Sequence, residues 1–101
     1  MNSRSKGRKG ESDFAILLEG RDHTVVDTTS GKATCDLVSV DTKDRMWAWE
    51  VKRRKVWCWT DFRAQAQRQA TGKMRWALAL HIPHTSTWLV VRQGERPVVW
   101  S

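Results

Sequence analysis

Three consecutive stretches decide the fold: Cys35-Asp36-Leu37-Val38-Ser39-Val40, the polar break Asp41-Thr42-Lys43-Asp44, and Met46-Trp47-Ala48-Trp49-Glu50-Val51-Lys52. β-Branched and aromatic residues dominate the outer two, and the break has the chemistry of a turn, so the segment predicts an antiparallel hairpin. Residues directly opposite each other in such a pair share a face of the sheet. With Val40 opposite Met46, Val38 falls opposite Ala48 and Asp36 opposite Glu50. One face then carries Val38, Val40, Met46 and Ala48, with Asp36, Glu50 and Lys52 gathered at one end, while the other carries Leu37, Trp47, Trp49 and Val51. A sheet that is apolar on both sides needs a cover on both sides.

Ionisable side chains in that setting admit two readings. In the first, Glu50 and Lys52 form a solvated pair at a strand end, and Asp36 starts its strand as a cap or turn residue. In the second, two carboxylates hold a hard cation, which takes oxygen ligands, and Lys52, about two strand rises or ~7 Å along from Glu50, faces the same pocket. There an ammonium can position water or offset the charge that develops on a phosphorus centre, so the trio suits metal-assisted phosphodiester hydrolysis.

Asp36, a spacer of thirteen residues and then Glu50-Val51-Lys52 resemble the D…(D/E)xK core of the PD-(D/E)XK nuclease superfamily. Lys6-Gly7-Arg8-Lys9-Gly10-Glu11 opening a helix, Ser30-Gly31 ahead of Asp36-Leu37-Val38, and Glu50-Val51-Lys52 resemble more narrowly its archaeal and phage Holliday-junction resolvases. The resemblance covers nearly the whole chain, and the order and spacing of the motifs carry it. Cys35 stands where the superfamily name puts proline, a loosely kept position.

The resemblance implies a restriction-endonuclease-like fold and a Mg2+-dependent endonuclease, with Mn2+ expected to substitute. Asp36, Glu50 and Glu11 would be metal ligands and, with Lys52, the catalytic residues. It also implies a role near the scissile phosphate for Ser30, with Thr29 next, and for Gln65, which with Ala66 matches a Gln-Ala pair in the helix after the Glu-x-Lys motif. Its substrate would be branched DNA, above all a four-way junction. Two symmetric incisions there call for a two-fold homodimer.

At 101 residues the chain has room for one domain with a modest core. The net charge of +7 fits a polyanionic partner, nucleic acid before membrane, because no amphipathic basic helix or long apolar segment is present. Cys35 and Cys58 lie on or beside apparent strands with no CxxC or Cys/His cluster, which argues against zinc. The charged N-terminus is not a secretory signal, so the expectation is a cytoplasmic protein, in a bacterial or phage-infected cell, with both thiols reduced and buried. For the seven tryptophans, core and dimer-interface packing is the weightier reading and base stacking the lesser, with Trp57 and Trp59 the best stacking candidates.

Met1 to Gly10 is rich in Lys, Arg, Ser and Gly and reads as a flexible basic arm, 1–10, ahead of a single nuclease domain, 11–101. Lys6, Arg8 and Lys9 can contact phosphates from it. Ser12 to Glu19 reads as a helix with Phe14, Leu17 and Leu18 on one face and Gly20 as its stop. Glu11, at its first turn, is otherwise a favourable charge at a helix N-terminus. A short strand around Val25-Val26 and a polar loop through Ser30 and Lys32 lead to Asp36.

Beyond Lys52, Arg53-Arg54-Lys55 continues towards the mouth of the proposed pocket, where phosphate contact is the better reading. Thr60 or Asp61 caps a helix through Ala70, closed by Thr71-Gly72, on which Gln65 and Gln69 share a face. Met74 to Ile82, Thr87 to Arg92 and Pro97 to Trp100 read as strands. The result is an α/β fold, a central mixed β-sheet flanked by helices, in the order αβββαββ or with one strand more. His81 and His84 read as packing or surface residues. The competing functions are a repair or restriction-type nuclease acting on flaps or mismatches, a non-catalytic basic nucleic-acid-binding protein, and a structural protein with a tryptophan partner surface.

Overall fold

The hairpin is present in the expected register, with Val40 paired to Met46 and Val38 to Ala48. The computed structural model describes residues 3–26, 35–53 and 58–101, with residues 3–9 by their backbone. Along the chain come α1 (Ser3–Glu19), β1 (Thr24–Val26), β2 (Leu37–Val40), β3 (Met46–Lys52), α2 (Trp59–Gln69), β4 (Arg75–His81), β5 (Trp88–Arg92) and β6 (Val98–Trp100). All six strands form one sheet in chain order. Neighbours run antiparallel except β3 and β4, which are parallel and joined through α2. The fold is therefore α/β with a mixed sheet and two helices, and the order is αβββαβββ.

Both faces of the sheet are covered, as their composition requires. Phe14 and Leu18 of α1 pack on Leu37, Trp47, Trp49, Ala77, Ala79, Trp88, Val90 and Trp100. Phe62 and Ala66 of α2 pack on Leu78, Leu80 and Val91 on the opposite side. Indole thus fills the α1 side, where the Phe14 ring centroid lies 4.8 Å from that of Trp49 and 5.0 Å from that of Trp88. Under it, Ser39 Oγ accepts the Trp49 Nε1–H at 2.8 Å and bonds His23 Nδ1 at 2.9 Å.

The turn into β3 is organised by Asp41. Its carboxylate accepts the backbone N–H groups of Lys43 and Arg45, Arg45 Nε–H and Trp47 Nε1–H, all within 3.0 Å. Burial would raise this carboxyl, but the bonds from Trp47, Arg45 and Lys43 outweigh that and hold it well below the usual range.

Three sequence-based expectations need correction. The stretch read as an arm is the first half of α1, which starts at Ser3 rather than Ser12. Arg and Lys are good helix formers, and the helix passes close to the end of β3. Gly10 is buried there, and a Cβ built on it would stand 3.4 Å from Arg53 Cβ. In α2 the N-cap is Cys58 rather than Thr60 or Asp61. The Cys58 thiol donates to Asp61 Oδ2 at 2.9 Å, so Asp61 takes part three residues after the cap position. Both thiols are free, but neither is buried as expected: Cys35 is half-buried and Cys58 exposed. Among the described residues, no helix is long and apolar enough to cross a membrane.

Candidate active site

Alternation along β3 puts Glu50 and Lys52 on the face covered by α2. Asp36, one residue before β2, donates its N–H to the Trp49 carbonyl at 3.0 Å. Its side chain then replaces the next backbone acceptor, with Oδ2 taking the Val51 N–H at 2.8 Å. Asp36 and Glu50 thus stand on opposite arms of the hairpin, near enough for the Asp36 charge to raise the Glu50 carboxyl, and Lys52 adjoins Glu50.

Glu50 is 2 % exposed, and its Oε1 is 2.8 Å from Lys52 Nζ. Burial raises its carboxyl, Lys52 and Gln69 pull it down, and the Asp36 charge adds to the rise, leaving it above the ordinary glutamate value. The second oxygen, Oε2, is buried without a hydrogen bond of standard geometry. A half-satisfied buried carboxylate near a second negative charge is costly, and a cation bound at Glu50 would offset that cost. The donor set of two carboxylates thus fits a hard divalent ion. Lys52 also lies 5.3 Å from the Phe62 ring centroid, so α2 walls the pocket on that side.

Of the other residues proposed from sequence, Glu11 is half-buried on α1, the helix on the opposite side of the sheet. Among the described residues, no three His, Cys, Asp or Glu side chains come together at metal-binding spacing, so the group is Asp36, Glu50 and Lys52. Arg53 is turned towards α1, where its guanidinium meets Asp13 at 3.4 Å. Lys6, Arg8 and Lys9 stand on the first turns of α1. Ser30, Lys32, Arg54, Lys55 and Trp57 lie outside the described residues.

On α2, Gln65 is half-buried, and it is Gln69, one helical turn on, that acts on the Glu50 carboxylate. Sequence reasoning placed both glutamines on one face, and the signal for Gln69 was that shared face. His81 packs edge-on to Trp88 with ring centroids 5.0 Å apart, and its Nε2 lies 2.7 Å from the Thr85 carbonyl oxygen. His84 is exposed with φ of 63°. Neither adjoins the carboxylates. Cys35, next to Asp36, has its thiol pushed up by burial and by the Asp36 charge, which keeps it protonated and a poor nucleophile. No protein-family model, curated protein or solved structure matches the chain.

Proposed function

We propose that the protein is a metal-dependent endonuclease that cleaves phosphodiester bonds in branched DNA. The observation that supports this most is the buried Glu50 carboxylate, with Oε2 lacking a standard hydrogen bond, held across the hairpin from Asp36 and 2.8 Å from Lys52. Asp36 and Glu50 would hold Mg2+, with Mn2+ able to replace it. Such an ion supplies Lewis-acid polarisation of the phosphate and a lowered pKa for attacking water.

The chain's own groups do the rest. Lys52 orients water or offsets charge as it develops on the phosphate oxygens. Gln69 holds the Glu50 carboxylate in place, and the wall made by Phe62 keeps the Lys52 ammonium within reach of it. Backbone binding falls to the net positive charge of +7. A four-way junction as the substrate, and a homodimer to cut it, rest on the resemblance to resolvases and on the need for paired incisions.

The test is cleavage of a synthetic four-way junction beside a matched duplex and a flap, with magnesium or with EDTA. Paired symmetric nicks that need magnesium and are lost in Lys52→Ala support the proposal. Nicks on the flap alone would make the protein a repair-type nuclease. One feature favours the competing reading of a non-catalytic nucleic-acid binder: Asp36 Oδ2 already serves the Val51 N–H. In that case no substrate is cut, and binding survives EDTA and the Asp36→Asn substitution alike.

A further inference from the structure

Across α2 from Lys52, a groove of about 400 Å³ opens between the start of α2, the start of β4 and the turn after β5. Trp59, 37 % exposed, and Trp76 supply indole to its walls, Val91 and Pro97 add apolar surface, and Arg63 and Arg96 bring positive charge. The Arg63 guanidinium carbon stands 5.6 Å from the Trp76 ring centroid, within cation–π range. Among the described residues, no carboxylate pairs with Arg63 or Arg96. Glu95, the acid in the groove, is bound to Arg92 at 2.8 Å.

An indole left open to water beside guanidiniums without a carboxylate suits a ligand that is flat, apolar on its faces and negatively charged at one end. A nucleotide has that chemistry. A second, shallower groove of about 320 Å³ shares Trp59 and Arg63 and runs on along α2 past Thr60 and Gln67. Two grooves joined at one indole form a track for successive units of a strand, which a free nucleotide would not need.

We propose that this track holds an unpaired stretch of a DNA strand, with one base against Trp59 and Trp76 and its phosphate on Arg63 and Arg96. The proposal rests on the DNA reading above and deepens it, because a flap, or a junction opened at its centre, presents unpaired nucleotides. Phe62 borders Lys52 while the adjacent Arg63 borders the groove, so α2 contributes to both the track and the candidate cleavage site.

The experiment measures binding of a short fluorescent oligo(dT) and of a matched blunt duplex in EDTA, where cleavage plays no part. Trp59→Ala is expected to weaken oligo(dT) binding about tenfold, from the loss of one stacking partner, and to leave the duplex nearly unaffected. Arg63→Ala with Arg96→Ala is expected to reduce the slope of log affinity against log salt by about 0.7 for each single-strand phosphate left without a guanidinium. Unchanged oligo(dT) affinity in Trp59→Ala, equal losses for oligo and duplex, or dTMP binding as tightly as the oligo would each overturn the track. Trp59-dependent oligo binding without cleavage of any branched substrate would keep the track and sink the nuclease. Cleavage with Trp59-independent binding would do the reverse.

Discussion

The Asp36 carboxylate accepts the backbone N–H of Val51 at 2.8 Å, so one residue both closes the end of the β2–β3 hairpin and sets its charge near Glu50. Its structural and chemical roles can be separated. Asn keeps an acceptor oxygen and removes the charge, whereas Ala removes both. Asp36→Asn is expected to melt near the native temperature and to lose magnesium-dependent cleavage. Asp36→Ala is expected to lose cleavage and also about 1–3 kcal/mol of stability in urea, for the N–H left unpaired. Equal stability of the two variants would show that the bond to Val51 contributes little.

Glu50 and Lys52 form a buried pair that removal of one partner should expose. Because burial holds the Glu50 carboxyl above its ordinary value, the folded chain binds that proton more tightly than the unfolded chain does. Stability is therefore lost as pH rises from the ordinary glutamate value through the raised folded one. Lys52→Met removes the ammonium that opposes the rise and extends this window upward. Its deficit in melting temperature should be larger at about pH 7.5 than at about pH 5.5, and Glu50→Gln should lack that dependence. The double variant Glu50→Leu/Lys52→Met is expected to be as stable as the native chain, or more stable by about 1–4 kcal/mol, and inactive. A pH-independent deficit in Lys52→Met would mean that Glu50 does not titrate in the pocket.

Gln69 and Gln65 make opposite predictions. Since Gln69 acts on the Glu50 carboxylate, Gln69→Ala is expected to lower cleavage about 10- to 100-fold, the usual effect of losing a group that orients a metal ligand, with far-UV circular dichroism unchanged. Gln65→Ala should cut at close to the native rate. The reverse ranking would return the role to Gln65.

His23 lies under α1 with Nδ1 on Ser39 Oγ at 2.9 Å, and burial together with the Arg92 charge holds it below its ordinary value of 6.5. The unfolded chain then takes up a proton that the folded one refuses, so stability falls as pH drops below 6.5 and levels off beneath the folded value. His23→Gln is expected to flatten that part of the pH profile. Ser39→Ala, which strips the acceptor from Trp49 Nε1–H, should cost about 1–3 kcal/mol in urea.

Local chemistry explains what the sequence disclosed. The hairpin was legible from its β-branched and aromatic strands and the polar turn at Asp41 to Asp44, which sets Val40 opposite Met46; a slip of one residue would turn Glu50 and Trp49 to each other's faces. The contact of Glu50 with Lys52 joins two residues that this register puts on one face, whereas Asp36, expected opposite Glu50, sends its N–H to the Trp49 carbonyl. The start of α1 was not legible, because Ser3 to Gly10 has no apolar face; Gly10 lies close to Arg53, a contact distant in sequence. Nor could spacing say which glutamine meets Glu50, since that depends on the angle at which α2 crosses the sheet. The place of Glu11 on α1, across the sheet from α2, is likewise set by helix docking, which no local pattern encodes.

Strand order in the sheet repeats chain order, and this has a kinetic meaning. Antiparallel neighbours can zip from their own turns on a microsecond scale, but β3 and β4 cannot meet until α2 has carried the chain back over the sheet. The slow barrier to refolding is then expected to be the docking of these central strands. In stopped-flow refolding, Leu78→Ala in β4 should slow folding, whereas Trp100→Phe in β6, at a buried position, should mainly hasten unfolding. Gln69 and Phe62 reach Glu50 and Lys52 from α2, so a chain in which only the β2–β3 hairpin had formed would leave that buried pair open to water.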